Sequence, residues 1–261
     1  MGLEKISFFV RSMKWRFYFT TIQIFIGYLL VVWPHFSLGD LYKMAYLFII
    51  FGPLLHGGIY TLNDIFNLKE DKKHPIKKNR PLALGQITKK EAYVFSISLI
   101  TAALVFSYYI NFTLVIICFL FLIINLIYTL MLKKILYLEI IANSLTHPLR
   151  FYTGVIAAGS SNFNGFQGIA LLIGLFALGI AALKRKKELA EAKASSIPLK
   201  YYTNSSLRNF IVLTGAIIMI KTLISKNLDF YFGIITLMLY LIVMLGYHKS
   251  NFIQKLMNKW Y

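Results

Sequence analysis

Residues 63–85, which read N-D-I-F-N-L-K-E-D-K-K-H-P-I-K-K-N-R-P-L-A-L-G, form a polar stretch between two apolar runs of membrane-spanning length. If the preceding helix continues into this stretch, Asp64, Asn67 and Asp71 fall at i, i+3 and i+7 and share one face. Carboxylate and amide oxygens suit Mg²⁺, which usually also binds the phosphate groups of a substrate. Basic side chains crowd the stretch and its border, namely Lys69, Lys72, Lys73, Lys77, Lys78, Arg80 and Lys89. The pattern predicts a site for a phosphorylated or diphosphorylated substrate at a membrane surface.

The composition is that of a membrane protein. Of the 261 residues, 58% are hydrophobic and 15% are charged, whereas a soluble domain has about 25% charged residues. The apolar residues occur in blocks, and about 20 of them cross a bilayer as a helix. We therefore expect an all-α, polytopic transmembrane bundle of about eight spans around a central cavity, forming a single domain over residues 1–261. The single cysteine, Cys118, excludes an intrachain disulfide.

Eight apolar blocks, separated by polar or small-residue links, are the predicted spans. They cover residues 17–36, 41–62, 91–110, 112–132, 137–158, 166–183, 207–225 and 230–247. Residues 1–16 are basic with some apolar residues, and we expect them to lie along the membrane surface as a helix. The short, basic and aromatic tail, residues 248–261, is likewise typical of a surface-lying helix.

The basic residues predict the orientation of these spans. Of the 28 Lys and Arg residues, 24 lie in the N-terminal segment, in alternate loops and in the tail. Basic loops favour the cytoplasmic side, so we expect both termini and the loops of the candidate site in the cytoplasm. The expected location is the cell (inner) membrane. The same pattern accounts for the net charge of +18, so nucleic-acid binding is not expected.

A polar stripe leads from the second span into the metal candidate. It consists of His56, Tyr60, Asn63 and Asn67, which recur at i, i+4, i+7 and i+11. A helix end with solvated charges would be the ordinary interpretation of such a stretch. Because three of the ten acidic residues of the chain cluster in residues 63–85, we favour a functional site, with the stripe contacting substrate.

A second polar face, in the fifth span, consists of Asn143, His147, Arg150 and Gly154. Arg150 follows Glu139 by eleven residues, which is about 16 Å along a helix and near mid-bilayer. An arginine at that depth costs about 2.5 to 3.5 kcal/mol and faces a cavity or a partner. We expect Arg150 to bind substrate, and the alternative is a structural hydrogen bond to a neighbouring helix.

A third polar segment, A-L-K-R-K-K-E-L-A-E-A-K at residues 182–193, follows the sixth span. Lys184, Glu188 and Glu191 share a helix face, with Arg185 beside them. A solvated helix with internal ion pairs is the alternative interpretation. Because this segment leaves its span on the same side as residues 63–85, the two loops are predicted to face each other over one cavity mouth.

These motifs resemble those of the UbiA superfamily of intramembrane prenyltransferases. The resemblance rests on N-D with a second Asp seven residues after the first, followed by H-P-x-K-x-x-R-P-x-A-x-G. The H-P-x-K-x-x-R-P run, K-R-x-x-E-L at residues 184–189 and E-I-I-A from Glu139 are similar to the branch that makes decaprenylphosphoryl-5-phosphoribose. That branch consists of polyprenyl-phosphate phosphoribosyltransferases. The similarity extends to about residue 225.

The resemblance assigns roles to residues of this chain. It implies that Asn63, Asp64 and Asp71 bind metal and diphosphate. The positions that contact phosphate and sugar would be Lys77, Arg80, Lys184, Arg185 and Glu188. The chain departs from the family pattern at Asn67, where Asp is usual, and at Phe17, where a lysine is expected after Trp15. The family usually has nine spans, and this sequence predicts eight.

The resemblance implies a Mg²⁺-dependent transferase that moves a 5-phosphoribosyl group from phosphoribosyl diphosphate to a polyprenyl phosphate. A physical argument agrees, because prenyl-diphosphate users in the superfamily carry a second Asp-rich motif and the corresponding loop here is basic. One alternative is transfer of a polyprenyl group from a prenyl diphosphate onto an aromatic or other acceptor. Another is a non-enzymatic anion transporter or lipid-binding protein. The expected partners are these substrates, the membrane and possible further copies of the chain.

Overall fold

A computed structural model describes residues 3–74, 76–190 and 201–247, and within them the chain is helical and contains no strand. The predicted surface helix of residues 248–261, together with Pro75 and Glu191, lies outside the described residues. The chain divides into two compact units, Met1–Leu130 with Thr153–Ser160 and Met131–Tyr152 with Ser161–Tyr261. A single domain over residues 1–261 stays a prediction.

The first unit begins with a short amphipathic helix and continues through apolar helices. Its α-helices are α1 Leu3–Ser12, α2 Ile22–Val32, α3 Leu38–Ile49, α4 Gly57–Phe66, α5 Leu68–Lys73, α6 Lys89–Ile110 and α7 Phe112–Leu130. Short 3₁₀ helices occupy Trp15–Thr21 and Lys77–Asn79. Polar caps fix where the long helices begin: the Thr88 hydroxyl and the Glu91 carboxylate form a capping box at the start of α6.

The second predicted span is one helical column in three pieces. A π-helix, Ile50–His56, lies between α3 and α4 and contains Pro53. Proline lacks an N–H group and clashes with the carbonyl four residues earlier, so the helix widens around it, and the Gly57 N–H bonds to the Gly52 carbonyl. The spacing of the polar stripe predicted a regular α-helix for this span. The wider turn changes the angular position of every side chain that follows it, including those of the polar stripe.

Close packing of α4 against α6 holds the end of that column in place. A Cβ atom added at Gly58 would lie 2.7 Å from Ile100 Cγ1 and 3.0 Å from the Ser96 carbonyl oxygen. The Ser96 hydroxyl donates a 2.7 Å hydrogen bond to the Gly58 carbonyl. Further on, Ile65 belongs to a buried apolar cluster with Leu82 and Ala92. The last turns of α4 are therefore fixed before the polar stretch begins.

The second unit consists of longer helices. They are α8 Leu138–Ala157, of which the residues up to Tyr152 belong to this unit, α9 Gln167–Ala190, α10 Asn204–Ile224 and α11 Asn227–Gly246. Short 3₁₀ helices occupy Leu132–Lys134 and Asn164–Phe166. Tyr240 is buried between these helices and donates a 2.8 Å hydrogen bond to the Ile211 carbonyl. Gly179 leaves room for its ring, since a Cβ there would lie 2.3 Å from Tyr240 Cε2.

The described helices confirm the predicted all-α membrane fold. Six helical stretches are long and apolar enough to cross a membrane, and they coincide with the second, third, fourth, sixth, seventh and eighth predicted spans. The first predicted span contains a shorter apolar helix, Tyr18–Val32. The fifth corresponds to α8, which contains Pro148 and several polar residues. Helices thus occur at all eight predicted positions, and the number of spans that cross the bilayer stays a prediction.

Candidate functional site

The two acids of the polar stretch lie side by side at the end of α4. Asp64 belongs to α4 and Asp71 to α5, and both are 3% exposed. Asn67 separates the two helices with φ −94° and ψ 6°, but the Asp71 N–H still donates to the Asn67 carbonyl at 2.8 Å. The turn therefore nearly preserves the helical register. The predicted shared face of Asp64 and Asp71 is present.

Arg80 joins the two carboxylates. Its Nη1 atom donates to Asp64 Oδ1 at 2.7 Å and to Asp71 Oδ2 at 2.6 Å. The loop after the Lys77–Asn79 helix positions it, because the Arg80 N–H bonds to the Lys77 carbonyl and the Leu84 N–H bonds to the Arg80 carbonyl. Two oxygens from different residues thus converge on a single nitrogen atom.

Lys14 also contacts Asp64, and the sequence did not predict this contact. Its Nζ atom lies 2.5 Å from Asp64 Oδ1 and 5.4 Å from the centre of the Tyr60 ring. Burial lowers the pKa of Lys14 from its ordinary value, and the neighbouring Asp64 carboxylate opposes that effect. Its backbone is left-handed, with φ 53° and ψ 50°, between α1 and the Trp15–Thr21 helix. The only feature of the sequence that could have pointed to Lys14 is its position directly before Trp15.

The two asparagines of the stripe bond to each other. Asn67 Nδ2 donates to Asn63 Oδ1 at 2.8 Å, and the Thr129 hydroxyl on α7 donates to the same oxygen at 3.0 Å. Asn63 is therefore oriented by a residue that lies 66 positions away in the chain. Thr129 is a second residue that the sequence analysis did not identify.

The first two residues of the polar stripe, His56 and Tyr60, lie in the interior of the first unit. His56 is 1% exposed, its Nδ1 atom bonds to the Phe51 carbonyl, and its ring meets Phe121 edge-on at 5.0 Å between centroids. The Tyr60 ring lies 5.9 Å from the His56 ring. Lys77 is exposed, and its backbone N–H donates to His74 Nδ1 at 3.2 Å. His56 is therefore packed in the interior of the first unit with Tyr60 beside it, while Lys77 lies at the surface.

The residues of this cluster fit a magnesium ion. Within residues 3–74, 76–190 and 201–247, no group of three or more His, Cys, Asp or Glu side chains could hold a metal. Two buried carboxylates that reach a common point, with amide groups beside them, match the way Mg²⁺ combines one or two carboxylates with substrate phosphates and water. These residues therefore do not form a zinc-type site, in which protein side chains supply three or four of the ligands.

The second unit has its own charged cluster. Glu139 on α8 has a side chain that is 1% exposed, and Arg185 on α9 binds it in a bidentate manner through Nε, at 2.7 Å, and Nη2. Arg185 Nη1 also donates to Glu188. Beside this cluster the Tyr202 hydroxyl accepts the Tyr137 N–H at 2.9 Å, and burial raises the pKa of Tyr202 above its ordinary value. Arg185, predicted to contact phosphate, is thus paired with two carboxylates, and Glu139 was not predicted as its partner.

The polar face predicted for α8 has mixed environments. Arg150 is 6% exposed, and its Nη1 atom donates to the Thr146 hydroxyl at 3.1 Å on the same helix. Asn143 is exposed and His147 is half-buried. Gly154 packs so closely that a Cβ atom would lie 1.8 Å from the Ile24 carbonyl oxygen. Arg150 is therefore buried and bonded to its own helix, its contact with substrate stays a prediction, and Gly154 is a packing residue.

The fold and the paired acids define an integral membrane protein with a polar site at the end of a helical span. The chain belongs to the UbiA prenyltransferase family, whose family model matches residues 20–257. The predicted family is thereby confirmed, and a family of prenyltransferases agrees with the expected enzyme class, a transferase.

Two curated relatives carry the name of the branch that the motifs resemble. The decaprenyl-phosphate phosphoribosyltransferase of Mycolicibacterium smegmatis is 32% identical over 170 residues, which is 64% of this chain and 52% of that protein. The protein of the same name from Mycobacterium tuberculosis is 27% identical over 196 residues, 73% of this chain and 64% of that protein. The chain thus spans between half and two thirds of the length of these relatives.

A solved structure shares the fold. A UbiA homologue from Archaeoglobus fulgidus, bound to GPP and Mg²⁺, matches with a TM-score of 0.74 and 17% identity. The match covers 97% of this chain and 95% of that chain. The helices described above are therefore arranged as in a UbiA fold.

Proposed function

We propose that this protein is a membrane transferase that moves a 5-phosphoribosyl group from phosphoribosyl diphosphate to a polyprenyl phosphate. The observation that carries the proposal is the convergence of Asp64 and Asp71 on Arg80, within 2.7 Å and 2.6 Å of one nitrogen. An acidic pair with cations at its edge is suited to a metal-bound diphosphate. The names of the two mycobacterial relatives support the choice of donor and acceptor.

In this proposal Asp64 and Asp71 hold Mg²⁺, with Asn67 supporting them and Asn63 oriented beside them. The ion, when bound, would neutralise charge that develops on the leaving pyrophosphate. Arg80 binds the diphosphate oxygens through its planar guanidinium, and Lys77 adds a mobile positive charge at the surface. The side chains of His56 and Tyr60 fill the space behind the donor and exclude water.

The acceptor supplies its own nucleophile. An ionised phosphate oxygen of the polyprenyl phosphate attacks C1 of the ribose, and the bond from C1 to the pyrophosphate oxygen breaks. No general base is needed, because the attacking oxygen carries no proton. Lys184, Arg185 and Glu188 are proposed to contact the phosphate and sugar groups, with Arg150 as a further polar contact. The apolar tail of the lipid remains in the membrane.

A second candidate is prenyl transfer, in which a prenyl diphosphate ionises and its carbocation alkylates an acceptor. The observation that favours it is the shared fold with a protein bound to GPP and Mg²⁺. The same acidic pair would then hold the diphosphate of the prenyl donor.

Parallel assays of both donors test the proposal. We expect purified protein with Mg²⁺ to release pyrophosphate from phosphoribosyl diphosphate and to transfer labelled ribose phosphate to decaprenyl phosphate. Asp64→Asn should lower the rate at least about a hundredfold, because it removes a charge at the position of the leaving group. Glu4→Gln, which changes an exposed carboxylate of α1, should leave the rate within about twofold.

The outcomes separate the candidates. Pyrophosphate release from a prenyl diphosphate alone would replace the first function by the second. Full activity of Asp64→Asn with either donor would contradict the assignment of the acidic pair.

A further inference from the structure

One carboxylate oxygen in the first unit has two cationic partners. Asp64 Oδ1 lies 2.5 Å from Lys14 Nζ and 2.7 Å from Arg80 Nη1. Asp71 completes the group through its 2.6 Å contact with Arg80. The Asp64 side chain is 4% exposed and the Lys14 side chain 11%. Two negative and two positive charges therefore balance each other in a largely buried cluster.

A metal ion at this position would compete with the two cations. The ammonium and guanidinium groups take up both lone pairs of Asp64 Oδ1, so Mg²⁺ cannot also bind this oxygen at its usual distance of about 2.0 to 2.1 Å. At least one basic group must leave Oδ1 when the metal binds there, and Lys14 is the one whose departure leaves Arg80 paired with Asp71. A buried ammonium without a counter-ion is strongly unfavourable, so Lys14 needs a new anionic partner at that moment.

The diphosphate that accompanies the metal provides that partner. It brings oxygens with negative charge to the space beside Asp64, within reach of a flexible lysine side chain. The Tyr60 ring, 5.4 Å from Nζ, gives the ammonium a second favourable contact while it moves. Lys14 has a left-handed backbone between α1 and the Trp15–Thr21 helix, and its side chain is only 11% exposed.

We propose that Lys14 is a diphosphate-binding residue that serves as the counter-ion of Asp64 until the metal–diphosphate complex displaces it. This inference rests on the proposed function. It assigns Lys14 two effects of opposite sign: it weakens binding of the metal alone, and it strengthens binding of the diphosphate once the metal is present. Arg80 shares the first effect, but Lys14 is the residue that can be changed without disturbing Asp71.

Two binding measurements on the purified full chain test this inference, with Mn²⁺ as the metal probe and inorganic pyrophosphate as the ligand. Electron paramagnetic resonance reports free Mn²⁺, and calorimetry reports pyrophosphate in the presence of Mg²⁺. We expect Lys14→Met to bind Mn²⁺ alone at least threefold more tightly than the wild type. It should bind pyrophosphate about tenfold more weakly, because one charge-assisted hydrogen bond is lost.

Matched variants separate this effect from a loss of structure. Lys5→Met removes an ion-paired lysine of α1, the partner of Glu91, and should leave both affinities within twofold. Lys14→Arg keeps the charge and should recover most of the pyrophosphate affinity. Lys14→Gly suits the left-handed backbone and replaces Lys14→Met if that variant does not fold. It too should bind Mn²⁺ more tightly and pyrophosphate more weakly than the wild type.

Each result has a definite meaning. If the wild type binds no pyrophosphate with Mg²⁺, the proposed function is wrong. If the wild type binds it and Lys14→Met or Lys14→Gly matches the wild type in both measurements, the inference is wrong while the proposed function stands. Weakening of both affinities to the same degree would show a structural role for Lys14 and would also overturn the inference.

Discussion

Neighbouring acids of α5 show how position decides the role of a carboxylate. Asp71 is 3% exposed and contacts Arg80, whereas the side chain of Glu70 is exposed. One residue along a helix rotates a side chain by about 100°, so adjacent acids face different surroundings. The two residues carry the same charge, and burial beside Asp64 distinguishes Asp71.

This difference predicts unequal effects of removing each charge. Asp71→Asn should lower Mg²⁺-dependent transfer about a hundredfold or more and raise the Mg²⁺ concentration needed for half-maximal rate, because a metal ligand loses its charge. Glu70→Gln should stay within about threefold of the wild type. A titration of activity against Mg²⁺ measures both. Equal losses in the two variants would show that surface charge, and not coordination, is responsible.

The spacing of Asp64 and Asp71 was sufficient to predict their shared face, since a helix brings residues seven apart to the same side. Lys14 and Thr129 were beyond such reasoning, because they reach Asp64 and Asn63 from 50 and 66 positions away. Local periodicity carries no information about contacts between separate helices. Glu139 was missed for the same reason, since Arg185 binds it from 46 positions away.

At the scale of elements, glycines determine how closely helices approach. Gly154 on α8 meets the backbone of α2, where a Cβ would lie 1.8 Å from the Ile24 carbonyl oxygen and 2.6 Å from the Tyr28 nitrogen. The obstacle is main chain, which cannot rotate away as a side chain does. The spacing of Gly154 with Arg150 suggested a polar face, but its role in the structure is close packing.

Gly154→Ala is therefore expected to destabilise the first unit by at least about 2 kcal/mol, because the two helices must separate to admit the methyl group. The measurement is the midpoint of thermal unfolding in detergent. Gly39→Ala is the control, since a Cβ at Gly39 meets the Ser37 hydroxyl oxygen at 3.5 Å, an ordinary contact. That control should unfold at the wild-type temperature or slightly above. Similar losses in both variants would contradict the packing argument.

The π-helix is the other element that periodicity could not show. Pro53 was visible in the sequence, yet proline can end, kink or widen a helix according to the packing around it. Here the segment Ile50–His56 is largely buried, and the chain continues as α4. Burial against the neighbouring helices favours a continuous column over a break, since a broken helix would leave backbone groups without partners in an apolar environment.

At the scale of the whole molecule, the distribution of basic residues predicts the orientation in the membrane. The loop that contains Lys78 is expected in the cytoplasm, and the short link at Lys226 on the other side. Both side chains are exposed, whereas the native Cys118 is buried. A membrane-impermeant thiol reagent should therefore label Lys226→Cys in intact cells and Lys78→Cys only after permeabilisation. The reverse pattern would invert the proposed orientation of the site.

The sequence by itself determined the all-helical membrane class, the positions of the helices, the family and the pairing of Asp64 with Asp71. Hydropathy, helical spacing and motif are local properties, and the chain carries them before it folds. Only the tertiary structure decided that Lys14 shares Asp64 with Arg80, that Glu139 holds Arg185 and that the second span widens around Pro53. These contacts depend on which helix faces meet and how closely they pack, and many residues distant in the chain determine that together.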